Sequence, residues 1–295
     1  MNISIIILNY NTKEFLKKCL QSIKKSHAEG ISIEVIVVDN ASTESIEDIK
    51  GVGIELIKNK KNVGFSKGNN IGLKKARGEY ILFLNPDTVL SKDALKTTFK
   101  FMQGEKDVGV ASPRLELPSG ELDEASHRGF PTPWNSFAHF SGIRGLLPKS
   151  KLFAGYTQGW LLDDKSPHEV DSVSGAFFFV RRKAGEEVGW WDEDYFWYGD
   201  ELDFCYRLKE KGWKVMFVPL TKVLHYRGVA SGIKSHSRGI ATATRETQLR
   251  SARASTEAMR TFYKKHYMNK YPRILTWIVL SGIGLLQRFR VAKHS

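Results

Sequence analysis

An α/β fold is predicted for this 295-residue chain: a mostly parallel sheet with helices on both faces, followed by a helical C-terminal extension. Three features point there. Short apolar runs alternate with amphipathic helical stretches through the N-terminal third. Those runs lack the polar–apolar alternation of a half-solvated sheet, so they fit strands covered on both sides. From about Lys234 onward the sequence turns basic and helical in pattern.

The elements follow in order. ISIIIL (3–8) is a first strand, and KEFLKKCLQSI (13–23) spaces Phe15, Leu16, Cys19, Leu20 and Ile23 as a helix does. IEVIVV (33–38) is a second strand, ESIEDIK (44–50) a short helix, and GIELIK (53–58) a third strand. SKGNNIGLKKAR (66–77) reads as a helix capped by Ser66 and stopped by Gly78. YILFL (80–84) is a fourth strand. Ser91 caps KDALKTTFKFM, and VGVAS is the next strand. Residues 112–170 are rich in Pro, Gly, Ser and aromatics with weak periodicity, which predicts loops and short elements. Order returns at SVSGAFFFVRR (172–182). A helix begins at DELDFCYRLKEKG (200–212), and WKVMFV (213–218) and KVLHYR (222–227) are further strands.

Hydrophobic residues make up 41% and charged residues 26%, which excludes fibrous and disordered classes. The net charge is +13. From Lys234 to Ser295 there are 13 Lys/Arg and 2 Asp/Glu, so nearly all the excess lies in the tail. Such a tail suits an anionic partner. The two cysteines, Cys19 and Cys205, sit in helical patterns without a CxxC pair, so buried thiols are expected in place of a disulfide or zinc framework. The N-terminus reads as a strand and not a signal peptide, which with the cysteine usage predicts a cytoplasmic protein.

In a doubly wound sheet, ligands bind beyond the carboxyl ends of the strands. Asn9 and Asn11 follow the first strand. Asp39, Asn40, Ala41 and Ser42 follow the second, and Asn85 and Asp87 follow the fourth. Any one of these is as well explained by a turn or a helix cap. Three at successive strand ends fit one shared polar site.

SIIILNYN, VIVVDNAS, NVGFSKGNNIG and YILFLNPD, in this order, resemble the nucleotide-sugar half of family-two glycosyltransferases with the GT-A fold, a Rossmann-like nucleotide-diphospho-sugar transferase architecture. GAFFFVRR, YGDELDFCYRLKEKGWKV and HYRGVAS continue the likeness over about residues 2–232, nearest the rhamnosyltransferase-like branch of bacterial surface-polysaccharide synthesis. The resemblance implies a catalytic domain over 1–232, with a nucleotide-sugar half (1–111) and an acceptor half (112–232), and a basic extension over 233–295. It assigns Asp39 to base and ribose, with Asn9, Asn11, Asn40 and Ser42 nearby. It gives Asn62, Gly64, Phe65, Gly68 and Asn69 a role in the nucleotide pocket, where glycines allow close backbone approach.

Asn85 and Asp87 fall where the family has its metal-binding Asp-x-Asp. Mg²⁺ or Mn²⁺ prefers oxygen ligands and takes only one or two carboxylates beside phosphate and water. With Asn85 uncharged, Asp87 is the one anion of the motif, and His225 is the implied second ligand. Arg227, Gly228 and Ser231 would reach the diphosphate. Of the carboxylates opening the helix at 200, Glu201 takes the position of the family's general base, with Asp200 as the alternative because the usual Glu-Asp order is reversed. Acidic residues also favour a first helical turn, and Asp203 has Arg207 one turn on as an ordinary partner. Asp203, Trp197 and Tyr198 are expected on the acceptor side, while Trp191 and Phe196 pack in the core.

The implied reaction is an inverting, metal-assisted single displacement moving rhamnose or a similar sugar from a dTDP- or UDP-linked donor to a glycan or polyprenyl-diphosphate-linked acceptor. The alternatives are a polyprenyl-phosphate sugar synthase or an inactive sugar-nucleotide-binding relative. Sugar-1-phosphate nucleotidyltransferases need a Gly-rich basic loop after the first strand, which LNYNTKEF lacks. No nucleic-acid-binding motif accompanies the basic tail, so no nucleic-acid partner is expected. The Gln-x-x-Arg-Trp signature of processive synthases is missing. ILTWIVLSGIGLL (274–286) is 13 apolar residues between basic flanks. That is short of the ~20 needed to span a bilayer, so peripheral contact with an anionic membrane is expected.

Overall fold

The computed structural model describes residues 1–26, 29–49, 53–232 and 241–294. Four strands, β1 (Ile3–Asn9), β2 (Ile33–Asp39), β3 (Ile54–Lys58) and β4 (Tyr80–Leu84), lie side by side in the order β3-β2-β1-β4 and all run parallel. The other strands are β5 (Thr88–Leu90), β6 (Val108–Glu116), β7 (His168–Glu169), β8 (Phe177–Arg181) and β9 (Lys214–His225). They extend the sheet as β8-β6-β9-β5, with β7 also on β9. The β4–β8, β8–β6, β9–β5 and β9–β7 pairs are antiparallel.

Both faces of this sheet are covered. Ile3, Ile5 and Ile7 point to one side, against Leu16, Cys19 and Ile23 of α1 (Lys13–Lys25) and Leu95, Phe99 and Met102 of α3 (Ala94–Gly104). Ile6, Ile36, Val38, Ile81 and Phe83 point to the other. There they meet α2 (Phe65–Leu73), α6 (Arg182–Val188) and α7 (Asp200–Glu210) through Ile71, Ala184, Phe204 and Leu208. Each fully buried Ile, Leu or Phe contributes on the order of 1.5–3 kcal/mol. β4 and β8 are buried at every residue, which is why their sequences are apolar throughout.

The strand directions bring the polar positions together. β6 and β4 are both antiparallel to β8, and β9 is parallel to β6. So β1, β2, β4 and β9 all end at one edge of the sheet. β5 runs back along β9 from that edge, with Thr88 opposite His225.

Several local expectations need correction. Residues 44–49 form no helix (Lys50 lies outside the described residues). Glu44 and Asp48 are instead tied to Lys13 at 3.4 and 2.9 Å. α2 starts at Phe65 from Gly64, whose φ of +88° no ordinary cap residue adopts easily, and Ser66 makes no cap bond. It ends at Leu73, because the Arg77 N–H is taken by Glu34 and Ser4. Asp93, and not Ser91, is the residue before α3. The two strands expected at 213–227 are one, β9, with a register shift opposite Pro113–Arg114. The sheet is mixed rather than mostly parallel beyond β4.

Residues 112–170 hold the end of β6 and short helices, among them α4 (Pro133–Phe140) and α5 (Ile143–Leu146). The basic tail expected from Lys234 lies outside the described residues up to 240. Beyond it, α8 (Arg245–His266) packs Ala258, Phe262 and Tyr263 on Tyr195 and Leu202, and α9 (Arg273–His294) folds back on α8. α9 is longer than its apolar run: Arg273–Ala292 is long and apolar enough to cross a membrane by length and composition. Ile274, Trp277, Ile278, Leu285 and Phe289 leave an exposed apolar stripe along it. Cys19 and Cys205 are buried free thiols on α1 and α7, and burial pushes both up to about 12.

Candidate functional site at the carboxyl edge of the sheet

The ends of β1 and β2 form one hydrogen-bonded unit. Asn9 Nδ2 donates to Asp39 Oδ1 (3.1 Å) and Ser42 Oγ (3.0 Å), and Ser42 Oγ donates to the same carboxylate oxygen (2.6 Å). Asn11 closes the group, its N–H on Ser42 Oγ and its Oδ1 accepting from Thr43 N. Asn11 and Ala41 both have positive φ, a backbone state uncommon outside glycine and frequent at ligand sites. Asp39 is nearly buried yet belongs to no ion pair among the described residues, so its charge is held by donors alone.

Asn40 staples the next loop. Its Nδ2 donates to Asn62 Oδ1 and Gly64 O, and its Oδ1 accepts from Asn59 and Val63. Gly64 must be glycine: besides its φ, a Cβ there would lie 2.6 Å from the Phe196 carbonyl. That carbonyl accepts the Phe65 N–H. Asn69 is buried, donating back to Phe65 O, and a Cβ at Gly68 would collide with Leu8. Phe65 stands edge-on to Trp191 (5.4 Å) and beside Gly175.

After β4, the Asn85 N–H donates to Ala176 O and its carbonyl accepts from Thr88 Oγ1. This leaves the half-buried side chain available. Asp87 Oδ1 lies 3.5 Å from His225 Nε2, too long for a strong hydrogen bond, and both residues are nearly buried. The other ring nitrogen, Nδ1, meets Asp123 Oδ2 at 2.8 Å. Asp123 is fully buried and also binds Arg227 (2.8 Å) and the Ala125 N–H (3.0 Å). Burial would raise its carboxyl, but His225 and Arg227 hold it well below the usual carboxylate range. Burial alone would lower His225. Asp87 and Asp123, on its two nitrogens, outweigh that and push it up to about 9. Arg227 has a φ of +48°.

Asp123 is a residue that sequence reading missed. It fixes the His225 ring, the arrangement common behind metal-bound histidines. Among the described residues no cluster of three or more His, Cys, Asp or Glu is arranged around a metal position. Asp87 Oδ1 and His225 Nε2 lie 3.5 Å apart.

At the start of α7, Asp200 and Glu201 are both largely buried and differ in state. Arg128 donates to Glu201 Oε1. Burial would raise Glu201, but the guanidinium holds it low. Asp200 has Oδ2 buried without a partner, and burial beside the Glu201 charge pushes it well above the ordinary carboxylate range. The neighbours are thus pushed in opposite directions, Glu201 toward the ionised form and Asp200 toward the protonated form. Glu201 Cβ lies on the Gly175 side, as Phe65 does, which brings this pair beside the loop stapled by Asn40. Arg128, in the weakly periodic segment, was also missed.

Of the residues expected on the acceptor side, Trp197 and Tyr198 stack at 5.5 Å and 7°. Trp191 packs in the core, as expected, among Phe65, Phe83, Phe178 and Phe204. Phe196 is half-buried under Arg250. Asp203 is a correction. It is fully buried, Oδ2 held by Arg207 (2.7 Å) and Oδ1 by His266 (2.7 Å), so it has nothing to offer an acceptor and instead anchors α8 to α7.

Comparison with known proteins places this geometry. Residues 153–286 match Glycosyl transferase family group 2. The chain is 27% identical over 233 residues to rhamnosyltransferase WbbL of Escherichia coli strain K12, covering 75% of this chain and 82% of that protein. It is 24% identical over 242 residues to the N-acetylglucosaminyl-diphospho-decaprenol L-rhamnosyltransferase of Mycobacterium tuberculosis, covering 77% of each. Among solved structures, it superimposes on Staphylococcus aureus TarS 1-349 with a TM-score of 0.55 at 16% identity, covering 97% of this chain and 81% of that one. The mannosyltransferase PcManGT of Pyrobaculum calidifontis, solved with GDP-Man and Mn²⁺, gives 0.57 at 14%, covering 99% and 72%. These structures share the GT-A fold. The sequence pattern of Glycosyl transferase family 2 matches residues 4–188, more than half of the sequence, and this chain belongs to that family.

Proposed function

We propose that the protein is an inverting glycosyltransferase that moves rhamnose or a similar sugar from a nucleoside-diphosphate donor to a hydroxyl of a lipid-linked or surface glycan. The observation that carries this is the β5–β9 pairing, which sets Asp87 against His225 at the edge where β1 and β2 present Asn9, Asp39 and Ser42. In this reading the Asp39 unit and the Asn40-stapled loop, with Asn62, Gly64, Phe65 and Asn69, hold the base and ribose. Asn85 approaches the diphosphate.

The Asp87–His225 pair fits a hard divalent ion that takes the place of the His225 Nε2 proton. It has one carboxylate and one imidazole on a common point, with the imidazole's far nitrogen fixed by Asp123. Mg²⁺ or Mn²⁺ bound there would offset negative charge on the departing diphosphate. With two protein donors among the described residues, its affinity depends on the donor's own phosphate oxygens.

Glu201 acts as the base. Its carboxylate, kept ionised by Arg128, accepts the acceptor hydroxyl proton as that oxygen bonds to the anomeric carbon and the carbon–oxygen bond to diphosphate breaks. Asp200, pushed toward its protonated form, is the poorer base. Because Arg128 lowers Glu201, Arg128→Gln moves the acid limb of the kcat–pH profile to higher pH. An unmoved acid limb would dissociate the guanidinium from the base.

The exposed stripe on α9, with Arg273 and Arg288 on the same helix, suits peripheral docking on an anionic membrane at its cytoplasmic face. Truncation after Tyr271 is expected to release the protein from vesicles containing anionic lipid, and unchanged co-pelleting would refute the docking role. The catalytic reading is tested with a panel of sugar nucleotides in Mg²⁺ or Mn²⁺, following product anomeric configuration by proton NMR. Transfer from a dTDP- or UDP-linked sugar with inversion is expected, and retention would contradict a single displacement.

A further inference from the structure

Residues 191–196 lie between α6 and α7, bracketed by two left-handed residues. Trp190 has a φ of +65° and Tyr198 one of +72°. Residues other than glycine keep such conformations only where their surroundings hold them. α2 holds this segment at three points. Asn70 Nδ2 donates to the Trp191 carbonyl at 2.8 Å, Lys67 pairs with Glu193 at 3.2 Å, and the Phe65 N–H donates to the Phe196 carbonyl at 2.8 Å. α8 holds it at two more. Lys265 pairs with Asp192 and, at 2.6 Å, with Asp194. Nearer the start of α8, the Arg250 guanidinium lies over the Phe196 ring, 4.1 Å from its centroid.

The two sets of contacts meet at Phe196. A Cβ on Gly64 would fall 2.6 Å from the Phe196 carbonyl oxygen and 2.8 Å from its ring. Gly64 is in turn tied to the loop that Asn40 staples: its carbonyl accepts from Asn40 Nδ2 at 3.2 Å, and its N–H donates to Asn62 Oδ1 at 3.0 Å. Arg250, Phe196, Gly64 and Asn40 are thus a series of direct contacts from α8 to the end of β2. The Lys265 pairs are part-exposed and contribute little by themselves. Arg250 is exposed and belongs to no ion pair among the described residues, so its charge is set on the ring and not on a carboxylate. It also acts on the one residue of the segment that touches Gly64, which makes it the contact with the larger consequence. We infer that Arg250 is a positioning residue for the nucleotide-sugar donor: seated on Phe196, it keeps the Gly64–Phe65 turn closed on Asn40 and makes α8 part of the donor site. This rests on the transferase reading, which gives that turn to base and ribose.

The test compares the full-length wild type with Arg250→Ala, Arg250→Lys, Phe196→Leu and the Arg250→Ala/Phe196→Leu double variant. It measures melting temperature, hydrogen exchange of the Phe65 amide in ligand-free protein by NMR, and calorimetric affinity for UDP, dTDP and GDP with Mn²⁺. Arg250→Ala is expected to speed Phe65 exchange and weaken nucleotide binding, each about two- to fivefold, the size of an exposed cation–π contact. Its melting temperature should stay within about 3 °C of wild type. Arg250→Lys keeps part of both effects, and the double variant binds nucleotide no more weakly than Phe196→Leu alone. Unchanged Phe65 exchange or unchanged nucleotide affinity in Arg250→Ala overturns the inference. Additive losses in the double variant also overturn it, because Arg250 would then act on the nucleotide without Phe196. A larger fall in melting temperature, with exchange quickened across the sheet, overturns it by making Arg250 a general contact of the fold. A wild type that binds none of the three nucleotides sinks the transferase reading and this role with it, whereas binding that Arg250→Ala leaves unchanged sinks this role alone.

Discussion

Asp87→Ala abolishes sugar transfer and removes the metal dependence of donor binding. Asp87 is the only anion among the two side chains that face the proposed ion, since Asn85 is neutral and Asp123 is spent on the far side of His225. Changes one layer out from a metal typically cost about 10–100-fold in affinity or activity, so loss of the direct carboxylate should exceed that. The fold should survive. Asp87 sits in a short turn at the sheet edge, and the backbone bond from Tyr226 N–H to Asp87 O does not involve the side chain. Calorimetric titration with nucleoside diphosphate, with and without Mn²⁺, separates the outcomes. Wild type is expected to show tighter binding with Mn²⁺, and the variant equal weak binding in both. A variant that keeps the Mn²⁺ enhancement would remove Asp87 from the site.

Glu201→Gln is the complementary change. It should lower kcat by about 10²–10⁴-fold, the usual range for a general base, while leaving donor affinity and its metal dependence intact. Some stability is lost as well, because Arg128 would keep its charge in a largely buried place without a counter-ion. Asp200→Asn provides the control. Asp200 is pushed toward its protonated form, so the amide is the milder change, and activity should fall far less than in Glu201→Gln. The reverse order would move the base to Asp200. The base also needs its charge at working pH, which is why the Arg128 contact and the split between the two carboxyls bear on the mechanism together.

The legible part of this site lies at strand ends. Asn9, Asp39, Asn85 and Asp87 announce themselves because each interrupts an apolar run where a buried strand must stop, and a parallel sheet collects those stops on one edge. His225 was legible only through the family likeness. Nothing in KVLHYR says that it closes a strand beside Asp87, and that neighbourhood comes from β5 doubling back on β9. The antiparallel β8 could not be read either. A strand buried on both faces is apolar in either direction, so FFFVR carries no mark of its orientation.

Asp123 and Arg128 escaped for a different reason. They sit in a segment with little periodicity and reach His225 and Glu201 across 102 and 73 residues. Single acidic and basic residues in such a stretch look like ordinary surface charge until the fold buries them. Asp203 shows the converse. A carboxylate in a promising motif proved to be an anchor for α8, because Arg207 and His266 close over it. Gly64 was read as a pocket glycine, yet its strictest requirement is the approach of the Phe196 backbone, which couples the nucleotide-side loop to the segment leading into α7.

The central claim is that this sheet edge binds a nucleoside diphosphate together with a divalent cation. It is tested most directly by titrating the wild-type chain with UDP, dTDP and GDP in Mn²⁺ and then in EDTA. The account predicts that at least one nucleotide binds in Mn²⁺ and that EDTA weakens it at least about tenfold, a difference of ~1.4 kcal/mol or more. Binding of none of the three, or binding that EDTA leaves unchanged, would contradict it.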